Sequence, residues 1–232
     1  MGSGPERRVA TDSDLVYQTS PSWSPDGRQI AYLRYAGDSS TLLVVDVAAA
    51  RSRVAWRGPS DLGGGLASWA ADSRQLAISS ARALVVLTDT VARVISRDTT
   101  HQLGLPVFSP DGKQVVVFHR GPEGIGLWLV DLANGSETRL LTGTHIIPVG
   151  WREDGSILFV RSDSSYNAVT LEAIRAAGGP VRVVGVFPRP HSNSYCAITS
   201  LSPTSDMRTA VCSEAQGNTD IWVVDNFDQA RR

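Results

Sequence analysis

The side chains best suited to chemistry in this sequence are four histidines, His101, His119, His145 and His191, and a recurring set of aspartates, Asp26, Asp72, Asp111 and Asp154. Imidazoles bind transition metals and move protons near neutral pH. No two of these histidines stand as H-x-x-x-H and none is paired with a cysteine, so their spacing specifies no metal site. His101 and His145 fall six or seven residues before an aromatic residue, Phe108 or Trp151, which reads as a solvated loop position, and His119 reads as structural. A metal-assisted lyase or hydrolase that gathers histidines at an axis is the less favoured alternative. The aspartates would suit calcium only if about six to eight oxygens converged, and each stands alone in its own turn. Glycoside cleavage needs two carboxylates held close together, and nothing in the spacing pairs them.

Other catalytic signatures are missing. The nucleophile elbow G-x-S-x-G does not occur. Gly63-Gly64-Gly65 has neither the lysine nor the following helix pattern of a phosphate loop. The expectation is a chain with no catalytic residue, no cofactor and no metal, and therefore not an enzyme. Cys196 and Cys212 remain. If a hairpin pairs Leu201 with Thr209, the two cysteines become diagonal neighbours on one face. They then form either an intrablade disulfide, which needs a favourable twist, or two small buried thiols. A disulfide would point to an oxidising, exported compartment.

The elements that carry these residues repeat. Trp23-Ser24-Pro25-Asp26-Gly27-Arg28-Gln29-Ile30 returns as Trp69-Ala70-Ala71-Asp72-Ser73-Arg74-Gln75-Leu76 and as Phe108-Ser109-Pro110-Asp111-Gly112-Lys113-Gln114-Val115. It returns more weakly from Trp151 and from Leu201, and the lead residues lie 46, 39, 43 and 50 positions apart. Proline presets φ, aspartate caps locally and glycine supplies positive φ, so each copy is a turn. An Asp-Gly pair between apolar runs marks a hairpin. A third apolar run then closes on Asp46, Asp131 or Asp225, and a fourth alternates arginine with apolar residues, as in Thr138–Leu141 and Val181–Val184. Four strands in about 43 residues make one propeller blade. Helical repeats would need apolar residues at i, i+3, i+4 and i+7. The one helix-like stretch, Leu171 to Ala177, reads as strand and then turn.

The expected fold class is all-β: a β-propeller of five four-stranded blades in a single domain over 1–232, led by Trp23, Trp69, Phe108, Trp151 and Leu201. Arg7–Thr11 aligns with the outer strand of the third unit. Either it completes the last blade and closes the ring, or the chain is the C-terminal part of a larger propeller. The lead aromatics are expected to be core between blades, with Trp128 and Trp222 packed alike. Trp56, on an outer strand, is expected to be exposed. Composition agrees with a globular chain: 42% of residues are hydrophobic, 19% are charged and the formal net charge is -1. That balance argues against a nucleic-acid partner. No apolar run reaches the roughly 20 residues that span a bilayer, so no membrane insertion is expected. No signal-peptide pattern follows Met1. Lys113 is the only lysine, which reads as an Arg-rich codon bias.

The Trp-Ser-Pro-Asp-Gly-(Arg/Lys)-x-(Ile/Val) core resembles the TolB-type, WD40-like propeller repeat, and the likeness runs from about Arg7 to Asp225. The resemblance implies a β-propeller that binds a protein or peptide on one face or in its channel. It also implies a periplasmic or other extracytoplasmic setting and a bacterial source. The leading expectation is a non-enzymatic protein- or peptide-binding module, a monomer or a piece of a larger chain. The alternative is a sensor or gating propeller cut from a receptor kinase or a serine peptidase. Loops that return toward the axis carry recognition in such scaffolds. By register they place Tyr17, Gln102, His145 and Tyr195 as the binding residues.

Overall fold

A computed structural model describes residues 17–18, 21–59, 67–80, 83–97, 102–121, 124–143, 145–162 and 168–188, with the strands at 195–196, 202–203, 209–215 and 219–225. All regular structure among them is β, in five antiparallel sheets. The first sheet has an inner strand in two pieces, Tyr17–Gln18 and Ser22–Trp23, followed by Gln29–Ala36, Ser39–Asp46 and Arg51–Pro59. The second runs Ala67–Trp69, Gln75–Ser80, Ala83–Thr88 and Val91–Arg97. The third runs Gln102–Phe108, Gln114–Gly121, Gly124–Asp131 and Glu137–Thr142. The fourth runs Ile146–Trp151, Ser156–Ser162, Ala168–Arg175 and Arg182–Pro188. In the fifth, Tyr195–Cys196 and Ser202–Pro203 both pair with Thr209–Ala215, which pairs with Thr219–Asp225. Each sheet is a meander, which is the blade expected from the repeat. Leu171 is strand and Ala176 is turn, as the register requires. Arg7–Thr11 lies outside the described residues.

Two compact units hold these sheets, Met1–Gly104 and Leu105–Arg232. Each has its own buried layer between neighbouring sheets. In the first unit Ala31, Leu33, Leu42 and Val44 of the first sheet meet Leu76, Ile78, Val85 and Leu87 of the second. In the second unit Val116, Leu127 and Leu129 of the third sheet meet Trp151, Ile157, Phe159 and Ile174 of the fourth. These residues alternate along their strands, so one face of each strand enters the layer.

A bulge recurs at one equivalent place in four sheets. The register between third and outer strand shifts between Leu42 and Leu43, Leu84 and Val85, Leu127 and Trp128, and Leu171 and Glu172. The extra outer-strand residue is Ala55, Ile95, Leu140 or Val184, always apolar. A bulge breaks strict alternation, so an outer strand that otherwise faces solvent turns one more apolar side chain inward. Val184 is buried while its neighbours Val183 and Val186 are exposed.

The aromatic expectations divide. Phe108 and Trp151 are buried, at 6% and 7% exposure. Trp69 is half-buried against the first layer. Trp23 is not core: it is 56% exposed. Trp56 departs the other way. Its ring lies back over Gly58, leaving no room for a Cβ there, and packs against the first layer. Trp128 packs against His119 in a tilted contact at 4.9 Å between ring centroids, with the Arg139 guanidinium 5.9 Å from the ring centre. His119 is buried. The Trp222 side chain lies outside the described residues.

Candidate functional site

Two ends of each sheet must be told apart, because the turn aspartates occupy one of them. Ser24 Oγ donates to Asp26 Oδ1 at 2.6 Å, and the same carboxylate oxygen accepts the Arg28 N–H at 3.0 Å. Ser109, Asp111 and Lys113 repeat this at 2.7 and 3.1 Å. In the second sheet Asp72 accepts the N–H groups of Arg74 and Gln75, and in the fourth Asp154 accepts that of Ser156. Asp46 and Asp131 cap the next turn at the same end, accepting from Ala49 and from Ala133.

These bonds favour the charged carboxylate. The Ser24 hydroxyl holds the Asp26 pKa below its ordinary value, and the Ser109 hydroxyl does so for Asp111. Burial pushes the Asp72 and Asp154 carboxyls up, but the backbone N–H groups outweigh it and both pKa values fall. The aspartates are therefore committed to their own turns. Among the described residues no three His, Cys, Asp or Glu side chains gather as a metal-binding group. His101 and His191 lie outside those residues.

The sequence-derived binding residues fall at the opposite end. Tyr17 stands across from Tyr35, near the end of Gln29–Ala36. Gln102 begins its inner strand. His145 precedes Ile146, which pairs with Arg161 near the end of Ser156–Ser162, and its carbonyl accepts the Ser162 N–H at 3.1 Å. Tyr195 pairs with Ala215, the last residue of its partner strand. Three of the four are strand residues, where loops were expected. His145 is half-buried with φ at 56°, a left-handed conformation uncommon outside glycine. The side chains of Tyr17, Gln102 and Tyr195 lie outside the described residues. Register also sets Cys196 across from Glu214, two positions from Cys212 on one strand. Their side chains lie outside the described residues too.

Two features escaped the sequence reading. The first is an ion pair on the fourth sheet beside His145. Arg161 Nε donates to both carboxylate oxygens of Glu172, at 3.1 and 2.9 Å, and Thr170 Oγ1 donates to the same carboxylate at 2.9 Å. Glu172 is only 7% exposed, and the Arg161 guanidinium lies 5.7 Å from the Phe159 ring centre. Phe159 and Glu172 are cross-strand partners, which puts the pair at the edge of the second layer.

The second is a cleft of about 110 Å³ in the groove between the first and second sheets, at the turn end. Val44, Ala55, Leu76 and Leu87 form its floor, and Trp69 lines it as well. Gln29, Arg53, Ser73, Arg74 and Asp89 are its polar residues. Arg74 is engaged by Asp89 at 3.1 and 2.7 Å, which raises its pKa. Ser73 replaces the turn glycine at φ 58°, and its Oγ accepts the Asp26 N–H at 3.1 Å. The Trp69 indole N–H donates to the Ser22 carbonyl at 3.1 Å. Side-chain size at equivalent repeat positions was the signal that could have found this cleft.

No protein-family model matches the chain, and no curated protein matches its sequence. Solved structures do match. TolB from Acinetobacter baumannii has a TM-score of 0.70 at 17% identity, over 95% of this chain and 54% of its own. A TolB candidate from Agrobacterium tumefaciens scores 0.65 at 18% identity, over 96% of this chain and 81% of its own. The chain thus spans about half the length of the first of these. Its fold is a TolB-like β-propeller. The nidogen/laminin complex contains a similar fold, with a TM-score of 0.65 at 10% identity, over 90% of this chain and 76% of that one.

One expectation is overturned. The chain was read as not an enzyme, yet an oligogalacturonate lyase solved with manganese has the same fold. It scores 0.62 at 17% identity, over 88% of this chain and 61% of its own. A prolyl endopeptidase scores 0.61 at 15% identity, over 94% of this chain and 35% of its own. The fold therefore does not separate binding propellers from catalytic ones, because function lives in sites grafted on the scaffold.

Proposed function

We propose that the chain is an extracytoplasmic propeller that binds a protein or peptide through Tyr17, Gln102, His145 and Tyr195. The observation that carries this reading is their register. Tyr17, Gln102 and Tyr195 begin inner strands and His145 immediately precedes one, all at the sheet end away from the Asp-capped turns. A rigid sheet holding residues at a strand terminus suits recognition. Selection from a random displayed-peptide library tests it. Peptides enriched on the wild type should be lost on a Tyr17→Ala/Tyr195→Ala double variant whose melting temperature stays within about 2 °C, a shift of at most about 1 kcal/mol. Equal enrichment on both proteins rejects the reading.

A Cys196–Cys212 disulfide would support extracytoplasmic placement; the two are diagonal neighbours across the pairing of Tyr195–Cys196 with Thr209–Ala215, and a favourable twist is needed to bridge them. Counting thiols under non-reducing denaturation checks it, and two free thiols reject it. A second reading is a gating or sensor propeller within a larger serine peptidase or receptor kinase. Its support is that the chain aligns along 94% of its length with 35% of a prolyl endopeptidase. The reading frame on either side of the chain in its genome tests this.

A further inference from the structure

The cleft between the first and second sheets is at the other end of the sheets from the proposed binding residues. Its apolar members are closed to a ligand, since Val44, Leu76 and Leu87 are only 2–3% exposed. What it offers is polar: Gln29 and Arg53 from the first repeat, and Ser73, Arg74 and Asp89 from the second. We propose that it binds a tetrahedral oxyanion, a phosphoryl or sulfuryl group, between Arg53 and Arg74.

Charge leads there first. Asp89 is the one acidic residue that lines the cleft. Both its oxygens are engaged by Arg74, accepting from Nε at 3.1 Å and from Nη2 at 2.7 Å. Arg53 has no hydrogen-bond or ion-pair partner among the described residues, and its side chain is exposed. Two guanidinium groups thus face one carboxylate, and the lining carries a net positive charge. Asp26 and Asp72 stand in the neighbouring turns, where their carboxylates accept N–H groups of their own turns, and neither lines the cleft.

Donors come second. Arg74 spends Nε and Nη2 on Asp89 and keeps both N–H groups of Nη1. Arg53 brings an entire fork, the group that meets phosphate oxygens two at a time. Ser73 Oγ accepts the Asp26 N–H at 3.1 Å and retains its own proton to give. The Gln29 amide supplies further N–H groups.

Shape decides between anions. Arg53 stands across from Val44 on the first sheet, while Ser73 and Arg74 belong to the turn of the second. Donors therefore approach from two walls. A carboxylate offers two oxygens in one plane, whereas a tetrahedral group offers three or four out of plane and satisfies both walls. Size agrees. A cavity of about 150 Å³ holds the six carbons of benzene, so about 110 Å³ suits the five heavy atoms of phosphate or sulfate.

The test titrates phosphate, sulfate and acetate at pH 7, with sodium chloride holding ionic strength constant so that screening is common to all. Its readout is the Trp69 indole N–H resonance, identified by its loss in Trp69→Phe. Phosphate and sulfate should shift that resonance saturably, and acetate should bind about tenfold more weakly or worse. Arg53→Gln, an exposed substitution, should weaken phosphate by a similar factor. Arg74→Gln, which leaves Asp89 uncompensated, should weaken it at least as much. Methyl phosphate separates the two sources of the group: binding like phosphate assigns the site to an ester on a larger ligand, and exclusion assigns it to the free ion. Absence of a saturable shift with phosphate and sulfate, acetate binding as tightly as they do, or unchanged phosphate binding in either arginine variant each overturns the proposal. Tyr17→Ala/Tyr195→Ala should bind phosphate as the wild type does, so this site and the sheet-end site fail or stand separately.

Discussion

The layer between the first and second sheets and the layer between the third and fourth follow one plan with different filling. Ala31, Val44, Ala55 and Ile78 in the first layer hold the positions of Val116, Leu129, Leu140 and Phe159 in the second. Every one of the four is the smaller residue. Protein interiors pack near a density of about 0.74, so missing volume must be closed by movement or left open. In the first layer part of it stays open as the cleft, and Trp69 is only half-buried. In the second, Trp151 is buried and Phe159 is fully enclosed. The turns barely differ between the same sheets. In this repeat the turns preserve the blade, and the interblade residues decide where a pocket opens.

The largest effect that can break this comparison is in the fuller layer. Phe159→Ala should cost about 3–5 kcal/mol in urea unfolding, and Ile78→Ala, in the first layer, about 2–3 kcal/mol. A larger loss for Ile78→Ala would mean that the layers are not filled as described. Next is the ion pair, whose place at the first layer is held by apolar Val85. Glu172→Gln should destabilise by about 1–3 kcal/mol, since it strands a guanidinium that is 32% exposed. Replacing both partners, Arg161→Met with Glu172→Leu, should recover most of that loss in the same unfolding measurement.

Smaller effects sharpen the likeness of the turns. Ser73→Ala keeps the left-handed backbone and loses the bond to Asp26, for about 0.5–1.5 kcal/mol. Ser73→Gly loses the same bond and relieves the backbone, so its thermal shift should be the smaller of the two. The least effect concerns acid. Asp111 has a folded-state pKa below its ordinary 3.8, so its contribution is complete above that value and is lost as pH falls further. Acid titration of Asp111→Asn should show a shallower loss of stability below about pH 4 than the wild type.

What was legible in the sequence follows from what is local. Turn chemistry, strand order and the strand reading of Leu171–Arg175 depend on residues a few positions apart, and the structure keeps them. The exposure of Trp23 depends on what lies against its sheet, and the lead position alone carries no such information. Trp56 stands on an outer strand among arginines, which points to exposure, and the bulge at Ala55 breaks the alternation there. The cleft escaped because its volume is a sum over two sheets, far apart in sequence. The Arg161–Glu172 pair escaped because eleven positions separate its members, and only the hairpin brings them together.

The most direct measurement of the central claim places a photocrosslinking amino acid at Tyr17 or Tyr195 and, for comparison, at Asn134 in a turn of the opposite sheet end. With a peptide selected on the wild type, the account predicts crosslinks from 17 and 195 and none from 134. Crosslinking from 134 alone, or from none of the three while the peptide still binds, would contradict it.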